Sequence, residues 1–289
     1  MRVFTLFVAA ALCAPASAAV LFDNGPIVTN PAGGTGAITG HAISQADGFN
    51  IPGQSFLFST TGVGATVSSS TSVADNFVVP AGGWQLSSVT LFAFQTSQAT
   101  PSISSIHINL WPAPPFSAGS PAPLPDPLPQ PLLAAPLILP AGPGTFVADR
   151  ESPSGTNTSR PVFSYTVPLA GLPGGGILAP GEYWLEWSFD GASAPSPNVF
   201  TPLVTPRTSA PDLNARQFNA LDGQPTSPRV WFEGREGFVA GVSEGRAFAL
   251  PLVLNGTVLP EPGFLIAAGS FLMLAGSRRR RRTTSPRRL

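Results

Sequence analysis

Side chains that could do chemistry are sparse in this chain of 289 residues. It contains two histidines, His41 and His107, and a single cysteine, Cys13. The histidines fit no HExxH or HxH spacing, so no zinc site is predicted, and one cysteine provides neither a disulfide nor a thiolate cluster. No GxSxG nucleophile elbow is present, and two histidines leave few catalytic triads. The sequence therefore favours a protein that is not an enzyme.

Two glutamates, Glu182 and Glu186, have a spacing that invites comparison with a glycosidase pair. On an extended strand, four residues separate them by about 13 Å. Retaining glycosidases need about 5–5.5 Å between the carboxyl groups and inverting ones about 6.5–9.5 Å. The two glutamates therefore fail as a pair with each other. Either could still pair with a carboxylate from another strand, and a solvated strand face is the simpler interpretation.

One constellation predicts a binding surface, and its members are His107, Asn109, Trp111 and Trp184. The first three share the polar face of a predicted strand over 102–111, and the fourth lies between the two glutamates on another predicted strand. A flat indole can cover the C–H face of a sugar while polar side chains bind its hydroxyls. This surface predicts carbohydrate or exopolysaccharide binding. The alternative is that a neighbouring loop covers both tryptophans.

Oxygen ligands for calcium are scattered along the chain and form no EF-hand loop. Asp75 with Asn76, or Asp190, could bind the ion together with backbone carbonyls. Calcium is therefore left as an alternative, and no other metal or cofactor is predicted.

The body of the chain is acidic, although the whole chain is neutral. Residues 19–262 hold all 15 acidic residues against seven arginines, a net charge of −8, and seven further arginines follow Ser277. Such a body repels phosphate backbones, so nucleic-acid binding is not predicted.

Short apolar or alternating runs, separated by Gly, Pro, Ser, Asn and Thr, make up residues 20–257. This pattern predicts an all-β domain, a two-sheet antiparallel sandwich of jelly-roll-like form. A mature segment of roughly 240 residues is long enough for one such domain. The predicted strands cover 20–23, 54–59, 72–79, 84–95, 102–111, 162–167, 181–189, 215–219, 229–233 and 247–254.

Side-chain alternation assigns an inward face to three of these strands. The inward residues are Ile106, Ile108 and Leu110, then Phe163, Tyr165 and Val167, then Tyr183, Leu185, Trp187 and Phe189. The strand over 84–95 has apolar residues on both faces, which predicts a central strand. One face carries Leu86, Phe92 and Phe94, and the other carries Val89, Leu91 and Ala93.

Residues 112–143 contain 12 prolines. Proline lacks the ladder donor and fixes φ, so this segment cannot form a central strand and favours extended polyproline II. Because it lies between two predicted strands, we interpret it as a long loop inserted in one domain. A docking site for proline-binding partners is the functional alternative.

The N-terminus has the three parts of a secretory signal peptide. Arg2 precedes an apolar stretch over 3–14, and the small residues Ala16 and Ala18 predict cleavage after Ala18. A lipoprotein signal around Cys13 is the alternative, but Leu12 stands where a small residue is needed.

The C-terminal residues 258–289 differ in composition from everything before them. Pro260, Glu261 and Pro262 precede 15 uncharged residues, 263–277, which span about 22 Å as a helix against a bilayer core of ~30 Å. An arginine block follows: Arg278, Arg279, Arg280, Arg281 and Arg282. These cations stay on the cytoplasmic side by the positive-inside rule and can snorkel to extend a short span. The pattern predicts a transmembrane helix with an arginine-rich cytoplasmic tail over 278–289 and the body outside.

A Pro-Glu-Pro triplet, a brief apolar helix and an arginine cluster, closing a chain that begins with a signal peptide, resemble the PEP-CTERM sorting signal of bacterial exosortase substrates. The resemblance covers about 30 residues. It implies that a membrane protease of the exosortase type recognises the triplet, removes the tail and delivers the body to the cell surface or to extracellular polymer. Residues 73–96 and 178–191 resemble secreted bacterial β-sandwich ectodomains that carry no assigned activity.

Two other signals share parts of this layout. Residues 259–263 approach the sortase pattern Leu-Pro-x-Thr-Gly, but Pro262 occupies the threonine position. A GPI signal also has a removable apolar tail, but it lacks a terminal arginine block.

The sequence thus predicts a signal peptide over 1–18, a β-sandwich ectodomain over 19–257 and a sorting signal over 258–289. The first functional hypothesis is an exported, non-enzymatic protein with a structural or adhesive role, anchored in the membrane by its tail and then sorted to the cell surface or extracellular matrix. The second is a carbohydrate-binding module or secreted carbohydrate-active enzyme with the same tail.

Overall fold

The computed structural model describes residues 18–33, 38, 40–44, 62–113, 131–150, 160–191, 198–204, 215–220, 229–233 and 249–260. Regular structure in these ranges is almost entirely β, apart from short 3-10 turns at Val67–Ser69 and Pro173–Gly176. The strands are β1 (Ala19–Asp23), β2 (Gly62–Gly64), β3 (Thr71–Val79), β4 (Trp84–Ala93), β5 (Ser105–Trp111), β6 (Leu137–Pro140), β7 (Thr145–Asp149), β8 (Pro161–Pro168), β9 (Ile177–Leu178), β10 (Gly181–Asp190), β11 (Phe200–Pro202), β12 (Arg216–Ala220), β13 (Arg229–Glu233) and β14 (Leu252–Val258).

The strands form two large antiparallel sheets. The first sheet has the order β1-β14-β4-β8-β7, with β9 added beside the start of β4. The second sheet has the order β13-β12-β3-β10-β5-β6, and β2 pairs with β11 in a small separate ribbon. All pairs of these strands are antiparallel, which confirms the all-β, antiparallel prediction.

The inner faces of the two large sheets share one apolar core. Every inward residue predicted for β5, β8 and β10 lies in it or packs against it, so those face assignments are confirmed. Trp187 and Leu185 of the second sheet and Leu91 of the first are completely buried. Burial of each large apolar side chain stabilises the fold by roughly 1.5–3 kcal/mol. A one-residue slip would turn such a set outward, so the alternation fixes the register.

The predicted faces of β4 are wrong at its start. β4 is central, between β14 and β8, as predicted. However, Leu86 lies in the core with Val89, whereas Phe92 and Phe94 belong to a separate apolar cluster. Two consecutive residues of β14 pair with β4 residues on either side of Ser87, so Ser87 is an extra, exposed residue. This bulge reverses the side-chain alternation, which a strict period of two cannot anticipate.

The proline-rich segment 112–143 is not a loop throughout. Its last part contains β6, an edge strand paired with β5, and Leu132 N donates to Leu110 O at 2.7 Å before that strand begins. An edge strand tolerates proline because one row of its backbone groups makes no ladder bonds. Residues 114–130 lie outside the described ranges.

Some strands were not predicted, and one prediction is not tested. β2, β7, β9 and β11 have two to five residues, too few to show a period. The predicted strand over 54–59 lies outside the described residues. β13 has the predicted bounds, and β12 is shifted by one residue.

A tight turn at residues 80–83 connects the second sheet to the first. Gly83 N donates to Pro80 O at 3.1 Å, and Gly83 has a φ of +89°. A Cβ at Gly83 would lie 2.6 Å from Leu178 O, so the position requires glycine. Because β3 of the second sheet ends at this turn and β4 of the first sheet begins there, the two sheets are connected at this end of the sandwich. We call it the tail pole: it holds Val79 paired with Gly181, and Trp84 paired with Val258.

The predicted signal helix and transmembrane helix fall on residues 1–17 and 261–289, outside the described ranges. In the part of the chain that the structure describes, no helix is long and apolar enough to cross a bilayer.

Candidate functional site on the outer face of the second sheet

The structure brings the predicted binding residues together on two neighbouring strands. In the antiparallel register of β5 and β10, Trp111 lies opposite Trp184, Asn109 opposite Glu186, and His107 opposite Ser188. Directly opposed residues point to the same face of a sheet. Since their strand neighbours point into the core, this set lies on the outer face of the second sheet.

Both tryptophans are buried on that face. Trp184 is 0% exposed and Trp111 is 8% exposed. The indole N–H of Trp184 donates to Glu182 Oε1 at 3.1 Å, and the guanidinium of Arg216 lies 5.7 Å from the Trp184 ring centre. The guanidinium of Arg216, a residue of β12, therefore lies over the indole as a cation over an aromatic ring. Neither tryptophan is therefore an open platform for a sugar ring, and the predicted stacking geometry needs correction.

Glu186 is the centre of a buried polar network. Its Oε1 accepts from Ser72 Oγ at 2.7 Å, and its Oε2 accepts from Trp111 Nε1 at 2.9 Å and Asn109 Nδ2 at 3.3 Å. Glu186 is 4% exposed. Three donors from β3 and β5 thus hold the carboxylate in one orientation. The sequence contains no clear signal for Ser72, because its face of β3 also carries Ala74 and Val78 and the opposite face carries Asp75.

Glu182 has a different environment on the same face. It is exposed and accepts from Asn76 Nδ2 at 3.1 Å in addition to Trp184. The two glutamates are therefore bound to separate sets of donors.

A pocket of about 170 Å³ opens beside Glu186, and we call it the Glu186 pocket. Its polar lining includes Ser72, His107, Asn109, Glu186 and Ser188, and its apolar lining includes Val67 and Pro136. Ser70, also in the lining, has a left-handed φ of 52° at the end of a 3-10 turn. His107 and Asn109 of the predicted surface thus line a pocket, whereas Trp111 supports it through Glu186.

One acceptor in this pocket lining is unsatisfied. Asn109 is 8% exposed, and its Oδ1 is buried with no hydrogen-bond partner in the described structure. Its amide orientation is fixed, because the Nδ2 group must face the carboxylate of Glu186. Unsatisfied buried acceptors are uncommon and cost roughly 1–3 kcal/mol.

The residues considered for calcium do not converge. Asp75 points into the space between the sheets, where its carboxylate accepts from Asn24 Nδ2 and Leu250 N, each at 2.7 Å. Asn76 points to the opposite face, and Asp190 Oδ1 accepts from Gly191 N at the end of β10. The three side chains therefore form separate structural contacts. Among the described residues, no group of three or more His, Cys, Asp or Glu could hold a metal ion.

A histidine–carboxylate contact lies on the first sheet and was not predicted. His41 Nδ1 lies 2.6 Å from Asp149 Oδ2, and the His41 ring centre lies 4.8 Å from that of Phe146. No sequence motif links these residues, which are 108 positions apart. The next residue, Arg150, is fully buried and donates to Ser44 Oγ at 3.0 Å. Burial, together with the charge of Arg160, lowers the pKa of Arg150 to about 9.

Most predicted sorting residues lie outside the described ranges. Pro260 is described and exposed, whereas Glu261, Pro262 and Arg278 to Arg282 are not described. Ala18 is described and exposed, and Ala16 is not. Comparisons of the chain with protein-family models, with characterised proteins and with solved structures found no match.

Proposed function

We propose that this chain is an exported, non-enzymatic β-sandwich protein that is sorted to the cell surface or extracellular matrix. Its fold is a jelly-roll-like sandwich, an assignment supported by the passage of β3 to β4 and of β4 to β5 between the two sheets. An exosortase-type protease processes its C-terminus. The body then has a structural or adhesive role outside the cell.

The observation that best supports this proposal is that the first strand of the sandwich, β1, begins at the tail pole and the last strand, β14, ends there. Ala19 at the start of β1 pairs with Gly256 near the end of β14, and Leu259 N donates to Gly83 O at 2.9 Å. The chain enters and leaves the sandwich at one end, so a membrane segment at either terminus would leave the opposite end facing outward. β1 begins at Ala19, one residue after the predicted cleavage position, so cleavage there would remove no residue of the strand.

Exposure of the tail exit also supports processing. Val258 is 61% exposed, and Pro260 is exposed as well. A protease must bind its substrate as accessible chain, and exposed segments beyond the last strand are the usual places for cleavage.

Mass spectrometry of the protein recovered from its native host tests this proposal. We expect an N-terminus at Ala19 and a C-terminus near residues 260–262. The variant Glu261→Ala should retain its tail, whereas the matched acid-to-alanine variant Glu151→Ala should be processed normally. A mature protein that still ends at Leu289 would refute sorting.

Carbohydrate recognition is a second candidate function, favoured by the Glu186 pocket. The described lining brings an imidazole, an amide and hydroxyl groups to one carboxylate, that of Glu186. Glycoside hydrolysis uses two carboxyl groups. We therefore propose binding rather than hydrolysis for this face, tested by retardation of the protein in gels that contain polysaccharide.

A further inference from the structure

The Glu186 carboxylate is a preorganised binding group. The side chains of Ser72, Asn109 and Trp111 each donate to it, and all four side chains are at least nine-tenths buried. A fixed acceptor loses little conformational entropy when a ligand binds. The same three donors disfavour a bound cation, because a metal would compete with N–H and O–H groups already directed at the carboxylate.

The remaining polar groups of the pocket suit a ligand that both donates and accepts. The Ser188 hydroxyl and the His107 imidazole, which is partly exposed, can each do either. A neutral hydroxyl group matches this mixture, since it carries one donor and two acceptor sites. Val67 and Pro136 supply an apolar wall for C–H groups.

The size of the pocket limits what can enter it. Its volume is about 170 Å³. Sites that enclose drug-sized ligands have about 300–1,000 Å³. A pocket of this size suits one ring, and the rest of a longer ligand would extend out of it.

We propose that the Glu186 pocket binds a single neutral sugar residue, such as the terminal residue of a polysaccharide chain, by its hydroxyl edge. This inference rests on the second candidate function and replaces stacking on Trp111 and Trp184 with hydrogen bonds to Glu186, Ser188 and His107. The pocket lies away from the tail pole, because Ser188 is near the end of β10 opposite to Gly181. A body tethered at the tail pole presents this end of the sheet outward.

Isothermal titration calorimetry with the full chain tests the proposal. The ligands are glucose, galactose, mannose and N-acetylglucosamine, with glycerol as an open polyol and ethanolamine as a cation. We expect binding of at least one neutral sugar, weakened about tenfold or more in His107→Ala and in Ser188→Ala. His41→Ala, which removes the other histidine of the chain, is the matched control and should bind as the unaltered protein does. Thermal melting of each variant separates lost binding from lost folding.

The possible results distinguish the pocket from the broader function. If folded His107→Ala and Ser188→Ala proteins bind polysaccharide as the unaltered protein does, the Glu186 pocket is not the sugar site, although the protein still recognises carbohydrate. Absence of binding to every sugar and polysaccharide overturns both. Tighter binding of ethanolamine than of any sugar, or equal binding of glycerol and sugars, overturns the assignment of the ligand class.

Discussion

Replacement of Asp75 by asparagine should destabilise the protein strongly, although the two side chains have nearly the same shape. Asp75 lies on β3 of the second sheet and is 2% exposed. Its Oδ2 accepts from Asn24 Nδ2, just after β1, and from Leu250 N, just before β14, while its Oδ1 accepts from Asn76 N at 2.8 Å. One carboxylate on the second sheet therefore binds the segment that follows β1 and the segment that precedes β14, both strands of the first sheet.

The magnitude follows from the three bonds to the carboxylate. In the Asp75→Asn protein, the amide oxygen can take the place of Oδ2 and still accept from Asn24 Nδ2 and Leu250 N, but the NH₂ group then faces Asn76 N, which loses its acceptor. The buried N–H without an acceptor costs about 1–3 kcal/mol, and each of the other two bonds loses about 1–1.5 kcal/mol because its acceptor is no longer charged. We expect a loss of about 3–6 kcal/mol in the free energy of unfolding, and the melting temperature should fall by roughly 2–4 °C for each kcal/mol.

Urea unfolding followed by tryptophan fluorescence measures this loss. Asp190→Asn is the matched control: Asp190 accepts from Gly191 N at an exposed site, so its replacement should cost under about 1 kcal/mol. In a double-mutant cycle, Asn24→Ala should cost less in the Asp75→Asn background than in the unaltered protein, because its bond then goes to a neutral acceptor. A loss below about 1 kcal/mol for Asp75→Asn would refute this account. So would a calcium-dependent rise in melting temperature that disappears with Asp75→Asn, because the residue would then be a metal ligand.

Three further predictions concern the first sheet. Tyr165→Phe should leave stability unchanged or raise it by about 1 kcal/mol, because the buried Tyr165 hydroxyl has no partner in the described structure. Tyr183→Phe is the comparison, because it removes a hydrogen bond to Ala179 O. Thermal melts compare the two variants, and a loss above about 1 kcal/mol for Tyr165→Phe would contradict the packing. Burial raises the pKa of Tyr165 to about 12, against about 10 when unfolded. The unfolded chain therefore releases this proton first, and the protein should lose stability as the pH rises from about 10 to about 12; that loss should be missing from Tyr165→Phe. Gly256→Ala should cost at least about 2–3 kcal/mol, because its Cβ would collide with the Gln85 carbonyl oxygen. Gly142→Ala, in open space with a φ of +65°, should cost about 1 kcal/mol. Equal costs in urea unfolding would show that the bulge in β4 yields to the added methyl.

Strands with a strict period of two could be predicted from the sequence, and those with an interruption could not. β5 and β10 alternate without error, and each lies between two hydrogen-bonded neighbours in the second sheet. β4 contains one extra residue at Ser87, whose position depends on its pairing with β14 and is not visible in its own sequence. β6 was missed for a similar reason, because proline argues against a strand except at an edge, and the edge is a property of the sheet.

The side chains of the candidate site could be predicted, but their surroundings could not. Alternation places His107 and Asn109 on the polar face of β5, and the structure agrees. Their contact with Glu186 depends on β5 lying beside β10, two strands separated by about 70 residues of sequence. The role of Ser72 depends in turn on β3 lying on the other side of β10. Such neighbours follow from sheet order, which a single sequence does not contain.

The burial of the tryptophans changes how this face can bind a ligand. An indole that stacks on a sugar must present its ring to solvent, yet Trp184 is fully buried under the guanidinium of Arg216. Trp111 acts through its N–H group, which holds the Glu186 carboxylate, and not through its ring. Both indoles therefore position glutamates, in the manner of supporting residues behind a binding group. Because the ring faces are covered, a sugar bound on this face would be held by hydrogen bonds at the pocket beside Glu186, and its recognition would depend on hydroxyl positions more than on aromatic area.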